Sequence, residues 1–222
     1  MKNTFELPDL EAVTDLQSYL QRAKRLDPDG MVRLRAFGEV LAAYVAPIFA
    51  GSLMDSGPTV LGLRTMQLAS PGEVDAVVPI SAVLDRLAKL ALPGLDSRDK
   101  LIVELPAPER ASWAGIAPPR AGWEHSGVIL EQTLTQIAKD GIEEVKNTLP
   151  ESVGGPIAAR IRGEIWGRGI ASEPRIPTGA AFAIAGLGFL TEGESVEIYS
   201  ADGWVRLSAE HGHVLAKVAR RL

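Results

Sequence analysis

The sequence predicts an α+β protein, with an antiparallel sheet and packed helices in its N-terminal half and helices followed by a small β-hairpin sheet in its C-terminal half. Three observations carry that prediction. Residues 14–25 and 81–92 hold apolar side chains at helical spacing, while the chain between them alternates apolar and polar residues around turn signals. Helical segments recur beyond residue 124, and Asp202-Gly203 sits between two alternating runs, which is a hairpin signature.

The elements follow in order. Thr14 and Gln17 have capping-box spacing, and Leu16, Leu20 and Ala23 continue a helix through Arg25. Asp27-Pro28-Asp29-Gly30 then turns the chain, because proline presets φ, aspartate bonds nearby backbone and glycine accepts positive φ. Val32, Leu34 and Ala36 alternate with Arg33 and Arg35 as a half-buried strand. Gly38-Glu39 turns it into the apolar run Val40 to Ala46, so the two read as a hairpin. Strands are predicted over Thr59 to Leu68 and Glu73 to Val78, separated by a Ser70-Pro71-Gly72 turn. Ser81 is placed as the N-cap of an amphipathic helix to Leu92, with Val83, Leu84, Leu87 and Leu90 inward and Pro93-Gly94 as its stop.

Prolines 106, 108, 118 and 119 with Gly115 and Gly122 interrupt all periodicity, which divides the chain into three. Residues 1–105 form an α+β half, 106–123 a crossing, and 124–222 a mostly helical half ending in a small sheet. Trp113 and Trp123 predict that the crossing is ordered, since indoles bury against something. Helices are then predicted from about Val128 to Leu149, with Gly141 as a candidate break, and from Pro156 to Trp166. Thr178 is the candidate cap of a third, Gly179 to Leu190, apolar on every side and therefore interior. Ser195 to Tyr199 and Trp204 to Leu207 flank the Asp202-Gly203 turn.

Residues 29–36 recur as 202–209, and Gly38 to Ala42 correspond to Gly212 to Ala216 once one residue is inserted. A duplication would produce this echo, and so would the shared demands of any hairpin. Either way it predicts a strand from His213 to Val218.

Composition narrows the chemistry. The 222 residues contain no cysteine, which removes disulfides, thiolate nucleophiles, iron–sulfur clusters and zinc sites built on Cys. A net charge of −5 argues against a broad basic face and so against a nucleic-acid partner. The third helix of the C-terminal half carries no charge, which also argues against a winged-helix reader of DNA. The N-terminus lacks the apolar stretch of a signal peptide, and the run Val40 to Met54 falls short of the roughly 20 residues a spanning helix needs. The expected location is cytoplasmic, with no membrane partner.

No serine nucleophile elbow, phosphate loop or zinc helix is present, and the Gly186-Leu187-Gly188 run closes a helix rather than opening one. His211 and His213 invite a metal, yet sequence places no third ligand, so no metal site and no cofactor are expected. What remains is arginine with tryptophan: Trp113, Arg120 and Trp123 in the crossing, then Trp166 and Arg168 at a helix end. Arginine stacks on indole and binds planar anions bidentately, so these five residues are the candidate ligand-binding set, in a cleft between the halves. Cementing of the crossing by the indoles, with the arginines lying along them in water, accounts for the same residues. Arg33, Arg35 and Arg64 would add a basic spot, or simply the wet side of strands.

The segments Leu61-Gly62-Leu63-Arg64, Val78-Pro79-Ile80, Leu84-Asp85-Arg86-Leu87, Pro118-Pro119-Arg120-Ala121-Gly122-Trp123 and Gly212-His213-Val214-Leu215-Ala216 resemble those of uncharacterised conserved proteins from actinobacteria. That resemblance implies a bacterial cytoplasmic protein and no catalytic residue. The functional expectation is a non-catalytic binding or protein-interaction module, with a homo-oligomer or another protein as partner. The alternative is an enzyme processing a small molecule or anion in the Arg/Trp-lined cleft.

Overall fold

The structure, a computed structural model, describes residues 3–49, 57–91, 100–149 and 154–217. The Gly51-Ser52 interruption of the apolar run, the Pro93-Gly94 stop and Val218 lie outside them. The protein is α+β, with helices and antiparallel strands in both halves. By compactness it divides into two units, Met1–Val45 with Leu63–Gly115, and Ala46–Gly62 with Ile116–Leu222. No helix among the described residues is long and apolar enough to cross a membrane.

The first unit contains β1 (Thr4–Leu7), α1 (Leu10–Leu26), most of β2 (Met31–Ile48) and of β3 (Thr59–Pro79), α2 (Ile80–Leu90) and β4 (Leu101–Glu104). β1 and β4, which lack a long alternating pattern and are not predicted, pair antiparallel from Thr4 opposite Glu104 to Leu7 opposite Leu101. α1 starts at Leu10, four residues before Thr14. Asp9 is extended and its carboxylate accepts the Ala12 amide hydrogen at 2.8 Å, filling one of the orphan donors of the first turn. Thr14 instead donates its hydroxyl to the Leu10 carbonyl inside the helix. Val13, Leu16, Tyr19, Leu20 and Ala23 form the buried stripe. The turn at 27–30 is present, closed by Gly30 N donating to Asp27 O at 3.0 Å. Gly30 is required for space rather than for φ: a Cβ there would lie 2.9 Å from Asp27 O and 3.1 Å from Ile80 Cδ1.

The predicted hairpin at Gly38-Glu39 is one continuous strand. Buried positions 32, 34 and 36 give way to 41, 43 and 45, a change of parity across four exposed residues. One extra residue produces this shift, and Gly38 at φ +59° supplies it as a bulge. Likewise Ser70-Pro71-Gly72 does not turn but lies within β3, where Gly72 leaves room for Leu68 Cδ1 and Ala36 Cβ at 3.2 and 3.3 Å from where its Cβ would be. α2 begins at Ile80 without a side-chain cap, so Ser81 lies inside the first turn. Ile80, Val83 and Leu87 are buried.

The second unit contains β5 (Glu124–Leu130), α3 (Glu131–Thr148), α4 (Gly155–Trp166), β6 (Gly169–Ile170), β7 (Glu173–Pro177), α5 (Thr178–Gly186), β8 (Ser195–Ala201), β9 (Trp204–Ala209) and β10 (Gly212–Lys217). Residues 124–130, predicted in part as helix, are a strand because they pair with β8 from Glu124 opposite Ser200 to Leu130 opposite Ser195. The sheet runs β2-β3-β10-β9-β8-β5, its first two members contributing residues 46–48 and 59–62 to this unit. α5 ends at Gly186, short of Leu190, and Thr178 is its first residue, donating its hydroxyl to Ile165 O at 2.7 Å.

Gly141 does not break α3. It is buried because a Cβ there would overlap the Trp166 ring, which also stacks on Phe182 with centroids 4.6 Å apart. The three helices therefore close around one indole. The two copies of the echo also part here, since Gly212 is needed to clear the Phe189 ring whereas Gly38 supplies positive φ.

Candidate functional site

β8 and β9 are joined by Asp202 (φ +46°) and Gly203 (φ +78°), the double positive φ of a tight hairpin turn. That turn fixes the register, Ala201 opposite Trp204, Ser200 opposite Val205, Tyr199 opposite Arg206. Directly paired residues share a face, so Val196, Ile198, Val205, Leu207, Val214 and Ala216 go inward and are buried. Glu197, Tyr199, Arg206, Ser208 and His213 go to the other face.

At the centre of that outer face the Arg206 guanidinium lies against two rings, 4.3 Å from the Tyr199 centroid and 4.8 Å from that of Trp123. Trp123 is held by its indole N–H, which donates to Pro119 O at 3.1 Å. Arg206 has no hydrogen-bond or ion-pair partner among the described residues, and its Nε is buried without one. Burial lowers its pKa, partly offset by Tyr199, but it remains a cation at neutral pH. His125 meets Tyr199 edge-on at 5.5 Å and places Nε2 2.6 Å from Glu197 Oε2. A bulge between His125 and Gly127 shifts parity so that Val128, opposite Glu197, joins the outer face too. Val128 and Leu130 are 56 % and 55 % exposed there. A cavity of about 620 Å³ lies beside the β8–β9 turn, and Gly122, Glu124, Trp204 and Val205, neighbours of the stacked residues, line it with Arg175.

The five residues singled out in the sequence are placed as follows. Trp113 is buried in the first unit, in a 3-10 turn whose Ala114 carbonyl accepts from Arg33 Nη1 at 2.8 Å. The other four belong to the second unit. Trp166 is buried among α3, α4 and α5, and Arg168 is exposed and ion-paired with Glu144 at 2.7 Å. Arg120 is exposed. Trp123 is half-buried with an arginine over its ring, and that arginine is Arg206. Arg206 was legible: it is out of phase with Val205 and Leu207, and counting outward from Asp202-Gly203 sets it opposite Tyr199.

Elsewhere several arginines are paired with carboxylates. Arg33 grips Asp75 with Nε and Nη2 at 2.7 and 2.8 Å and holds its carboxyl below the usual carboxylate range. Arg35 adds a contact to Asp75 at 3.7 Å, and Arg64 pairs bidentately with Asp15. His213 shares a hydrogen bond with Ser208 at 3.1 Å. Among the described residues no group of three or more His, Asp or Glu is placed to hold a metal ion.

This architecture has the fold of bacterial DNA-polymerase sliding clamps. The beta clamp of Helicobacter pylori, solved in complex with 3,4-difluorobenzamide, matches with a TM-score of 0.51 at 12 % identity, over 100 % of this chain and 66 % of that one. The sliding clamp (DNA polymerase III subunit beta) of Bartonella birtlesii, solved bound to griselimycin, matches with a TM-score of 0.50 at 11 % identity, over 99 % and 65 %. The chain thus spans about two-thirds of the length of the clamp chains it matches, and the likeness is one of fold. By sequence the chain belongs to the family described as domain of unknown function DUF8010, which matches residues 1–115. Residues 118–221 match a second domain of unknown function, DUF8185. No curated protein matches the chain.

Proposed function

We propose that this protein is a non-catalytic, cytoplasmic protein-interaction module that binds another protein, or a second copy of itself, through the outer sheet face of the second unit around Arg206. The observation that carries the reading is the Trp123–Arg206–Tyr199 stack. Tryptophan, tyrosine and arginine dominate the binding energy of protein interfaces, and here the arginine is immobilised, part-buried and without an internal counter-ion. The ordering entropy of a long side chain is already spent, so less of the binding energy is lost on docking. The fold supports an interaction role by analogy alone, because one of the matched clamps is named as a subunit of a polymerase.

The test is site-specific photo-crosslinking in the host cell, with the photoreactive residue at position 128. The expected result is one or a few discrete adducts that disappear in the Arg206→Glu protein while its thermal midpoint holds. Adducts unchanged by Arg206→Glu, or none from a folded chain, overturn the proposal. A thermal-shift panel of metabolites addresses the enzymatic alternative. A strong shift abolished by Arg120→Ala with Arg168→Ala and untouched by Arg206→Gln would replace the interaction reading with an anion site.

A further inference from the structure

We infer that Arg206 receives a carboxylate carried by an extended segment of the partner protein, with Val128 and Leu130 taking the apolar side chains that follow that acid at alternate positions. This rests on the interaction reading above and names the chemistry of its partner. Two rings lie against the guanidinium, which leaves less of its face open and favours approach of a ligand at its edge. Nε is buried and unpartnered, while the residue as a whole is part-exposed, so a ligand would meet the guanidinium from the solvent side. A planar fork of N–H donors matches a carboxylate with two parallel hydrogen bonds, and the two rings lower the local dielectric in which they form.

Charge selects the carboxylate over a polyanion. On this face Lys217, over the Trp204 ring, lies one row from Arg206 on one side and Glu197, paired with His125, one row away on the other, so the three sum to one positive charge. A single negative charge balances Arg206, whereas a phosphate dianion or a nucleic-acid strand would set surplus charge against Glu197 and a chain of net charge −5. Geometry supplies the rest of the motif. The row His125–Tyr199–Arg206 is followed by Val128–Glu197–Ser208 and then by Leu130–Ser195. Rows on one face of a strand are about 7 Å apart, which is also the repeat of alternate side chains in an extended peptide. The Arg206 guanidinium reaches across β8 to Trp123, the residue before β5, so an acid seated on it lies toward β5 and brings apolar residues two and four positions along level with Val128 and Leu130, both exposed.

The probe is an acetylated, amidated peptide with the core Glu-Thr-Val-Thr-Leu, compared with the same peptide carrying Gln for Glu. Each is titrated into the full chain while the Trp123 indole N–H resonance is followed. The expected result is that the Gln peptide binds about tenfold more weakly, and that Arg206→Lys removes this difference because an ammonium offers no planar fork. Val128→Ser with Leu130→Ser should weaken both peptides by one factor and preserve the discrimination. Equal binding of the two peptides, no binding of either at millimolar concentration, or discrimination that survives Arg206→Gln overturns the inference. So does tighter, Arg206-dependent binding of inorganic phosphate or oligothymidylate. If these fail while crosslinked adducts still vanish on Arg206→Glu, the carboxylate assignment falls and the interaction reading stands; if the adducts are absent as well, both fall.

Discussion

Glycine 141 shows how a residue's local preference and its tertiary duty can pull in opposite directions. In the interior of α3 an alanine is favoured over glycine by about 1 kcal/mol on helix propensity alone. The space, however, belongs to the Trp166 ring, which a Cβ at 141 would overlap, and that ring is clamped from its other side by Phe182. Inserting a methyl into a filled core costs about 1–3 kcal/mol. The overlap should win, so Gly141→Ala is expected to lower stability by up to about 2 kcal/mol net of the propensity gain. Urea denaturation measures it, and a rise in the midpoint would show that the indole can move aside. The sequence marked both residues, Gly141 as a break and Trp166 as a ligand contact, without relating them. Nothing in a one-dimensional pattern says that a missing Cβ and a large ring 25 positions apart are one packing unit.

At the scale of elements, the helices and the final hairpin were legible because their information is local: periodicity, a proline at the first turn of α4, and Asp202-Gly203 between alternating runs. The long strands were misread because glycine and proline have two uses. At 203 a positive φ reverses the chain, whereas at 38 the same conformation adds one residue to a strand that continues. The parity change distinguishes them, since a bulge moves burial from even to odd positions and a turn does not require it. β2 makes a sharp test. Deleting Gly38 would remove the extra residue and leave Leu41, Ala43 and Val45 in phase with Val32, Leu34 and Ala36 on the buried face, so this variant should still fold cooperatively, whereas deleting a residue outside the bulge should not. Gly38→Ala keeps the residue count, meets no atom within 4 Å, and pays only the strain of φ +59°, about 1 kcal/mol. Thermal melts of both proteins decide it; a Gly38 deletion variant with no cooperative melt would sink the bulge assignment. The outer-face site was half legible for the same reason, because register from the turn places Arg206 beside Tyr199, but Trp123 reaches them from a stretch without periodicity.

For the whole molecule, the two family matches part between residues 115 and 118, yet the compact units are not contiguous stretches, because Ala46–Gly62 clusters with Ile116–Leu222. These residues are structural members of the second unit. Gly179 at the start of α5 is glycine because Ile48 Cδ1 lies where its Cβ would be, and Pro58 Cδ approaches the site of a Cβ on Gly167 to 3.4 Å. β3, whose first residues 59–62 belong to this unit, is the neighbour of β10 in the sheet. A fragment of residues 116–222, cut where the families part, therefore leaves β10 as an unpaired apolar edge and empties the position of Ile48 beside α5. Removing a fully buried isoleucine costs about 2–5 kcal/mol and the half-buried Ile48 less, and that loss adds to the bared edge against the roughly 5–15 kcal/mol that holds a domain together. The fragment is expected to bind 8-anilinonaphthalene-1-sulfonate, to give poorly dispersed amide spectra and to lose its cooperative melt. Supplying residues 46–62 through a glycine-rich linker ahead of residue 116 should restore dispersion and cooperativity. A fragment of 116–222 that melts cooperatively within a few degrees of the full chain would show instead that the second unit is complete without them.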